Sequence, residues 1–376
     1  MAATAVSDQT TDLSKQYDTP LGLAHSTMQV LKDRIKLHYD LASDYYLSLW
    51  GEHIHHGYWP TPESEATQTK EEAQTNLIQL LLDISKIPSK CSVLDVGCGI
   101  GGTSRYLASK HGSSVTGITI SSKQVEIANR LTKTAIEDTS SSDASDDNGF
   151  TKFGEGNVKF LELDAEEMGD FFSNQQGTFD AVWISEALSH FPNKALFFEN
   201  VIKVLKPGGK LVLADWFKDE DVDVTTFIND IKPIEDGMLL PPLCTQQGYV
   251  NLANKAGLKV LSEPKDISQQ VRKTWDITWS LVQNPSLWAF AITQGRDGIA
   301  FLQSFRAMRR GYANGSFRYA VMGFYKEMDI ASYLIGGKFS ICIHECRSWL
   351  WQAIQAHGVL ALTVPSWRNQ VMAAAA

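Results

Sequence analysis

Basic residues are the minority charge in this 376-residue chain: 34 Lys and Arg stand against 43 Asp and Glu, a formal charge of −9. No basic stripe forms, which argues against a nucleic-acid partner. Cysteine is scarce. The five, Cys91, Cys98, Cys244, Cys342 and Cys346, are odd in number and lack the spacing of a disulfide framework, which fits a reducing compartment. Cys342-x-His344-x-Cys346 has no fourth ligand at a sensible distance, so no metal is expected. No apolar run approaches the length of a bilayer span. Residues 1–20 have neither the apolar stretch of a signal peptide nor the Arg-rich, acid-poor make-up of a transit peptide. The expectation is a cytoplasmic protein with no integral membrane association.

What the chain does have is apolar residues, 43% of the total, enough for a sizeable core. Helical spacing is read over 27–49 and 71–87, with Pro88 ending the second helix. Beyond it, strands and helices alternate. Strands are expected at Ser92–Val96, Ser114–Ile120, Val158–Leu163, Phe179–Ser185 and Lys210–Trp216, with helices at Gln124–Thr134 and Ala195–Leu205. Such alternation predicts an α/β fold with a mostly parallel sheet covered on both faces. Phe317–Tyr325 is the last strong strand. The organisation expected is a flexible tail over 1–25, a helical N-terminal lid over 26–90 and a main domain over 91–327. Within that domain, 136–156 is acidic and poor in apolar groups, so a disordered insertion is expected there. Residues 220–310 are read as helical and rich in Trp, Leu and Phe, and 328–376 as an appended tail.

The stretch Val93-Leu-Asp95-Val-Gly97-Cys-Gly99-Ile-Gly101-Gly102 carries the strongest signal. A strand runs into a glycine turn that opens a helix, an arrangement that lets a ligand approach backbone amides. A dinucleotide-binding turn is the usual reading of such glycines, but it wants an acid about 20 residues on. Thr119 and Ser121 stand there instead.

Together with Trp50-Gly51-x-His53-x-His55-His56-Gly57-Tyr58, Gly117–Ser121, Phe179-Asp180-x-Val182-Trp183, Pro207-Gly208-Gly209 and Leu240-Pro241, this stretch resembles one particular family. It is similar to the gamma-tocopherol methyltransferase branch of small-molecule methyltransferases, which is related to sterol methyltransferases. The resemblance runs from about His38 to Lys326, apart from 136–156. It implies a Rossmann-like class I fold with a seven-stranded, mostly parallel sheet, a helical lid and a helical acceptor-binding insertion. It also implies S-adenosyl-L-methionine as cofactor and a small-molecule acceptor.

On that resemblance, Asp95 orders the turn and Gly97, Gly99 and Gly101 line the methionine end. Thr119, Ser121 and Gln124 offer neutral hydrogen bonds to the ribose; for the two hydroxyls, capping of the next helix is the competing role. Asp164 and Ala165 resemble the adenine contact. Tyr39, Tyr45, Trp50, His53, His56, Tyr58 and Trp59 are expected in a lid over cofactor and acceptor, with packing alone as the alternative.

Ser185–Pro192 follows the fourth strand, and in this fold that position faces the reacting methyl group. His190 is the expected general base, or else a group that orients its loop. Glu186, four residues earlier, shares a face with it if the segment is helical, and could position an amine or hold His190. The reading is methyl transfer to a small, partly apolar natural product, with nitrogen slightly favoured on the acidic balance and the aromatic lid. The alternative is O- or aromatic C-methylation of a phenol, quinol or sterol-like acceptor. A further alternative is a protein that binds the cofactor without transferring methyl.

Overall fold

Alternating strand residues point to opposite sheet faces, and the core is split accordingly. Val93, Ala181 and Val212 join one apolar cluster; their neighbours Leu94, Val182 and Leu211 join the other. In the computed structural model these residues lie on an eight-stranded sheet with packing on both faces. The structure describes residues 28–328 except 139–145, 147, 176, 284 and 294. The described residues belong to one compact unit that ends at Met328. The expected tails therefore lie outside the described residues, save Met328, as do Cys342, His344 and Cys346.

Three helices come first: α1 (Met28–Trp50), α2 (Pro62–Thr67) and α3 (Lys70–Ser85). Thr69 and Glu72 close a capping box at the start of α3. Then follow β1 (Ser92–Val96), α4 (Gly102–His111), β2 (Ser114–Thr119), α5 (Ser122–Asp138), β3 (Thr151–Phe153), β4 (Gly156–Glu162) and β5 (Phe179–Ser185). Next come α6 (Lys194–Val204), β6 (Leu205–Lys218), α7 (Gln246–Ala256), β7 (Leu258–Asp266), α8 (Lys273–Val282), α9 (Pro285–Thr293), α10 (Arg296–Asn314) and β8 (Phe317–Lys326). The strand order is β3-β4-β2-β1-β5-β6-β8-β7. Strands β4, β2, β1, β5 and β6 run parallel; β3, β8 and β7 pair antiparallel to their neighbours. The chain builds outward from β1 on one side and then returns to β5 on the other. That reversal opens a crevice at the carboxyl ends of β1 and β5, the usual ligand position in such sheets.

Three expectations change. The sheet has eight strands, not seven, because Thr151–Phe153 turns back on β4 as a short edge strand. The expected insertion 136–156 is narrower than its composition implied. Its first residues finish α5, where Ile136 is buried, and its last ones pair in the sheet. The span 220–310, expected to be mainly helical, also contains the strand β7. That strand alternates buried or half-buried with exposed residues and carries Pro264, which an edge strand tolerates. None of the described helices is long and apolar enough to cross a membrane.

Candidate active site

The glycine turn sits at the carboxyl end of β1. The Gly97 and Cys98 amides both donate to the Ile118 carbonyl, at 2.9 and 3.0 Å. Gly97 has φ 70°, and a Cβ there would lie 2.4 Å from the Ala187 Cβ. Gly99 has φ 54°, with open space where a side chain would go. Gly101 turns instead toward the Phe160 ring, so it serves packing and not the cleft. Asp95 is buried, and its Oδ2 accepts from Ser104 Oγ at 2.6 Å. Burial pushes its carboxyl up to about 6, against the pull of Ser104.

A cleft of about 840 Å³, open to solvent, runs past this turn. Gly97, Gly99, Thr119, Gln124, Asp164 and Ala165 line it, and Glu186 and His190 stand at its inner end. Ser121 is committed elsewhere. Its hydroxyl accepts from the Gln124 amide at 3.1 Å, capping α5, and donates to Asp40 on α1 at 2.5 Å. Thr119 donates to the Gln124 side chain at 2.5 Å. Asp95 and His53 border a smaller pocket on the other side of the turn.

Helix α1 lies along the rim. Lys32 bridges to Asp164 at 2.8 Å and to Glu166 at 2.6 Å. Burial works against the charged Lys32, yet its bonds to Asp164 and Glu166 raise it above the ordinary value. Lys36 pairs with Glu162 and donates to the Ile120 carbonyl at 2.9 Å. These contacts fix α1 over the ends of β2 and β4.

A second cavity adjoins the first, with about 690 Å³ of empty space when its opening to solvent is counted. Its walls include Tyr46, Trp50, Trp216, Trp275, Phe301 and Phe305. Tyr39, Ile54, Glu186 and His190 line both spaces. Tyr58 is not among these residues; it packs on the core cluster that holds Leu77 and Trp183.

The Ser185–Pro192 loop departs from expectation. Glu186 has φ 55°, unusual for a residue with a side chain, so no helix joins it to His190. Only Leu188–His190 forms a single tight turn. Glu186 does not hold His190. Its Oε1 accepts the His56 amide at 2.6 Å and the Tyr319 hydroxyl at 2.8 Å, and its Oε2 lies 2.8 Å from His56 Nδ1. Burial would raise the Glu186 carboxyl, but the His56 imidazole beside it brings it below its ordinary value. His190 Nε2 meets the Tyr39 hydroxyl at 3.2 Å, and burial pushes this imidazole down to about 3.

A family described as "Methyltransferase domain" matches residues 94–213, from within β1 into β6. A 27-O-demethylrifamycin SV methyltransferase of Amycolatopsis mediterranei is 30% identical over 63% of this chain and 77% of its own length. The chain belongs to the class I S-adenosylmethionine-dependent methyltransferases of small molecules. A tocopherol O-methyltransferase of Arabidopsis thaliana, named as chloroplastic, is 27% identical over 80% of this chain and 83% of its own. Among solved structures, the mycolic acid cyclopropane synthase CmaA1 shares the fold with a TM-score of 0.63 at 18% identity, covering 78% of this chain and 98% of its own.

As a member of this family, the protein is an enzyme, with S-adenosyl-L-methionine as its methyl donor and a small molecule as acceptor. Ile54 and Trp216, which sequence reasoning left unassigned, complete the methyltransferase's second cavity beside Thr274, Trp275, Phe301 and Phe305 from the span 220–310, whose Trp, Leu and Phe had suggested an acceptor pocket. Among the described residues, no group of three His, Cys, Asp or Glu could hold a metal ion.

Proposed function

We propose that this methyltransferase methylates oxygen or ring carbon of a bulky, apolar acceptor carrying an acidic hydroxyl, of phenol or quinol type. The observation that carries the reading is the aromatic cavity that meets the glycine cleft at Tyr39, Ile54, Glu186 and His190. An aromatic wall suits a flat ring. The relatives named above for O-methylation support oxygen over nitrogen. The expected preference for an amine rested on overall acidity and the aromatic lid, and an aromatic wall serves a flat ring as well as a cation. In the cavity the one lining carboxylate, Glu186, already takes three hydrogen bonds from His56 and Tyr319. It is not free to pair with an ammonium. With a relative named as chloroplastic, a cytoplasmic location is not carried forward.

S-adenosylmethionine, when bound, supplies a methyl group activated on a sulfonium. In this reading the Gly97 and Gly99 backbone faces its methionine end, while Asp95 sets the turn from behind. Gln124, held by Thr119, and Asp164 with Ala165 border the nucleoside end. Ser121 acts indirectly, by tying α1 down through Asp40. Tyr39, Ile54 and the aromatic walls orient the acceptor and exclude water. Orientation of this kind supplies up to about 7–11 kcal/mol of a displacement barrier.

The test offers purified enzyme and S-adenosylmethionine a matched panel of quinols, phenols, sterols and secondary amines, with S-adenosylhomocysteine and methylated product read by mass spectrometry. Hydroxylated rings are expected to be turned over and amines to lag at least tenfold. Turnover of the amines alone would overturn the reading.

A further inference from the structure

His56 sits in the three-histidine segment after α1, where the sequence suggested only a lid. It is 2% exposed and lines the aromatic cavity. Its Nδ1 faces Glu186 Oε2 at 2.8 Å. An ionised carboxylate can only accept, so Nδ1 carries the proton in the neutral ring. Nε2 is left with a bare lone pair. It is buried and has no hydrogen-bond partner among the described residues. The ring cannot swing freely, because Trp275 and Tyr319 pack on it with centroids 4.8 Å away. Glu186 is fixed in turn by the Tyr319 hydroxyl and the His56 amide. The other ionisable groups nearby are His55 and Tyr312.

His190 offers a contrast. Its Nε2 meets Tyr39 and its Nδ1 is also buried and unpartnered, but among the described residues no carboxylate bonds to the ring to fix its proton and stabilise an imidazolium. We propose that His56 is the general base that takes the proton from the acceptor hydroxyl, with Glu186 as the positioning residue that orients it. This rests on the reading that the acceptor carries such a hydroxyl. The acceptor O–H gives its proton to His56 Nε2. The oxygen, or a ring carbon conjugated to it, forms the new bond to the methyl carbon. The carbon–sulfur bond breaks and its electron pair stays on sulfur, leaving a neutral thioether. The imidazolium so formed is paired with Glu186 and later gives its proton to water; after attack by carbon, the ring carbon loses its hydrogen as a proton to solvent and the oxygen takes one back, so that the hydroxyl is restored and one proton is released overall.

Two measurements test this. The first needs no acceptor: ¹⁵N-imidazole NMR at pH 8, with the His56 signals assigned by their loss in H56Q. The expected spectrum has the proton on Nδ1 and a bare Nε2, and E186Q loses that preference. A proton resident on Nε2 overturns the proposal. The second uses a hydroxylated acceptor that the wild type turns over. H56Q lowers kcat by roughly 10²–10⁴-fold, the usual range for a general base, while the Kd for S-adenosylmethionine stays within twofold, which also shows that the variant folds. E186Q shifts the acid limb of the pH–rate profile to lower pH, because an amide no longer stabilises the imidazolium. A kcat for H56Q within threefold of wild type, with the large loss in H190Q instead, overturns the base assignment alone. Failure of the wild type on every hydroxylated acceptor overturns the acceptor class itself.

Discussion

The two cavities that meet at Glu186 are built in opposite ways. The glycine cleft is organised around a turn at the carboxyl end of β1, where Gly97 and Gly99 leave main chain uncovered, with side chains such as Lys32, Gln124 and Asp164 around it. The aromatic cavity is made of side chains from α1, the 54–56 segment, β6, α8 and α10. A wall of backbone is set by the fold and accepts few substitutions. A wall of side chains from scattered elements can be recut residue by residue without disturbing the sheet. The first suits a donor that does not change, the second an acceptor that differs between enzymes of one fold.

That contrast can be broken on either side. The largest effect is expected from Gly97→Val. A β-branched residue at φ 70° is strained by about 1–3 kcal/mol, and its Cβ would overlap Ala187. Calorimetric titration should show S-adenosylmethionine binding weakened by roughly 100-fold or more, since strain and overlap add. Trp275→Ala attacks the other side. Trp275 is 4% exposed and packs against His56, Trp216 and Phe305. Its removal should cost about 3–5 kcal/mol of stability in denaturant unfolding and raise KM for the acceptor. The Kd for S-adenosylmethionine should stay within threefold, and a larger change would erase the distinction between the two cavities. Lys32→Ala is the mildest. It frees Asp164 and Glu166 and loosens α1 at the rim. Partly exposed ion pairs contribute up to about 1 kcal/mol, so dissociation of S-adenosylmethionine should speed up by about fivefold at most. Salt should reproduce part of that change in the wild type.

The same contrast explains what the sequence made legible. The donor side is local: Asp95 to Gly102 is one continuous stretch, and β1 and β5 fall on their expected spans. Even there, Gly101 and Ser121, which the resemblance puts at the cofactor, turn to Phe160 and Asp40, and Ser121 takes the capping role that competed with it. The acceptor side is non-local. His56, Glu186 and Tyr319 meet only because the 54–56 segment, the loop after β5 and strand β8 converge, and no spacing pairs residues 130 or more apart. The i,i+4 relation of Glu186 and His190 suggested a helix face. The left-handed backbone at Glu186 breaks that helix and turns its carboxylate to His56. Strand β7 was hidden because its one-sided alternation sits among helices and carries a proline that an edge position permits.

The most direct test is a crystal structure with S-adenosylhomocysteine and a quinol bound together. The homocysteine end is expected along Gly97–Gly99, the nucleoside beside Asp164, and the quinol ring among Trp50, Trp216 and Trp275 with a hydroxyl against His56 Nε2. A quinol ring outside the aromatic cavity, or a nucleoside away from Asp164, would contradict this arrangement.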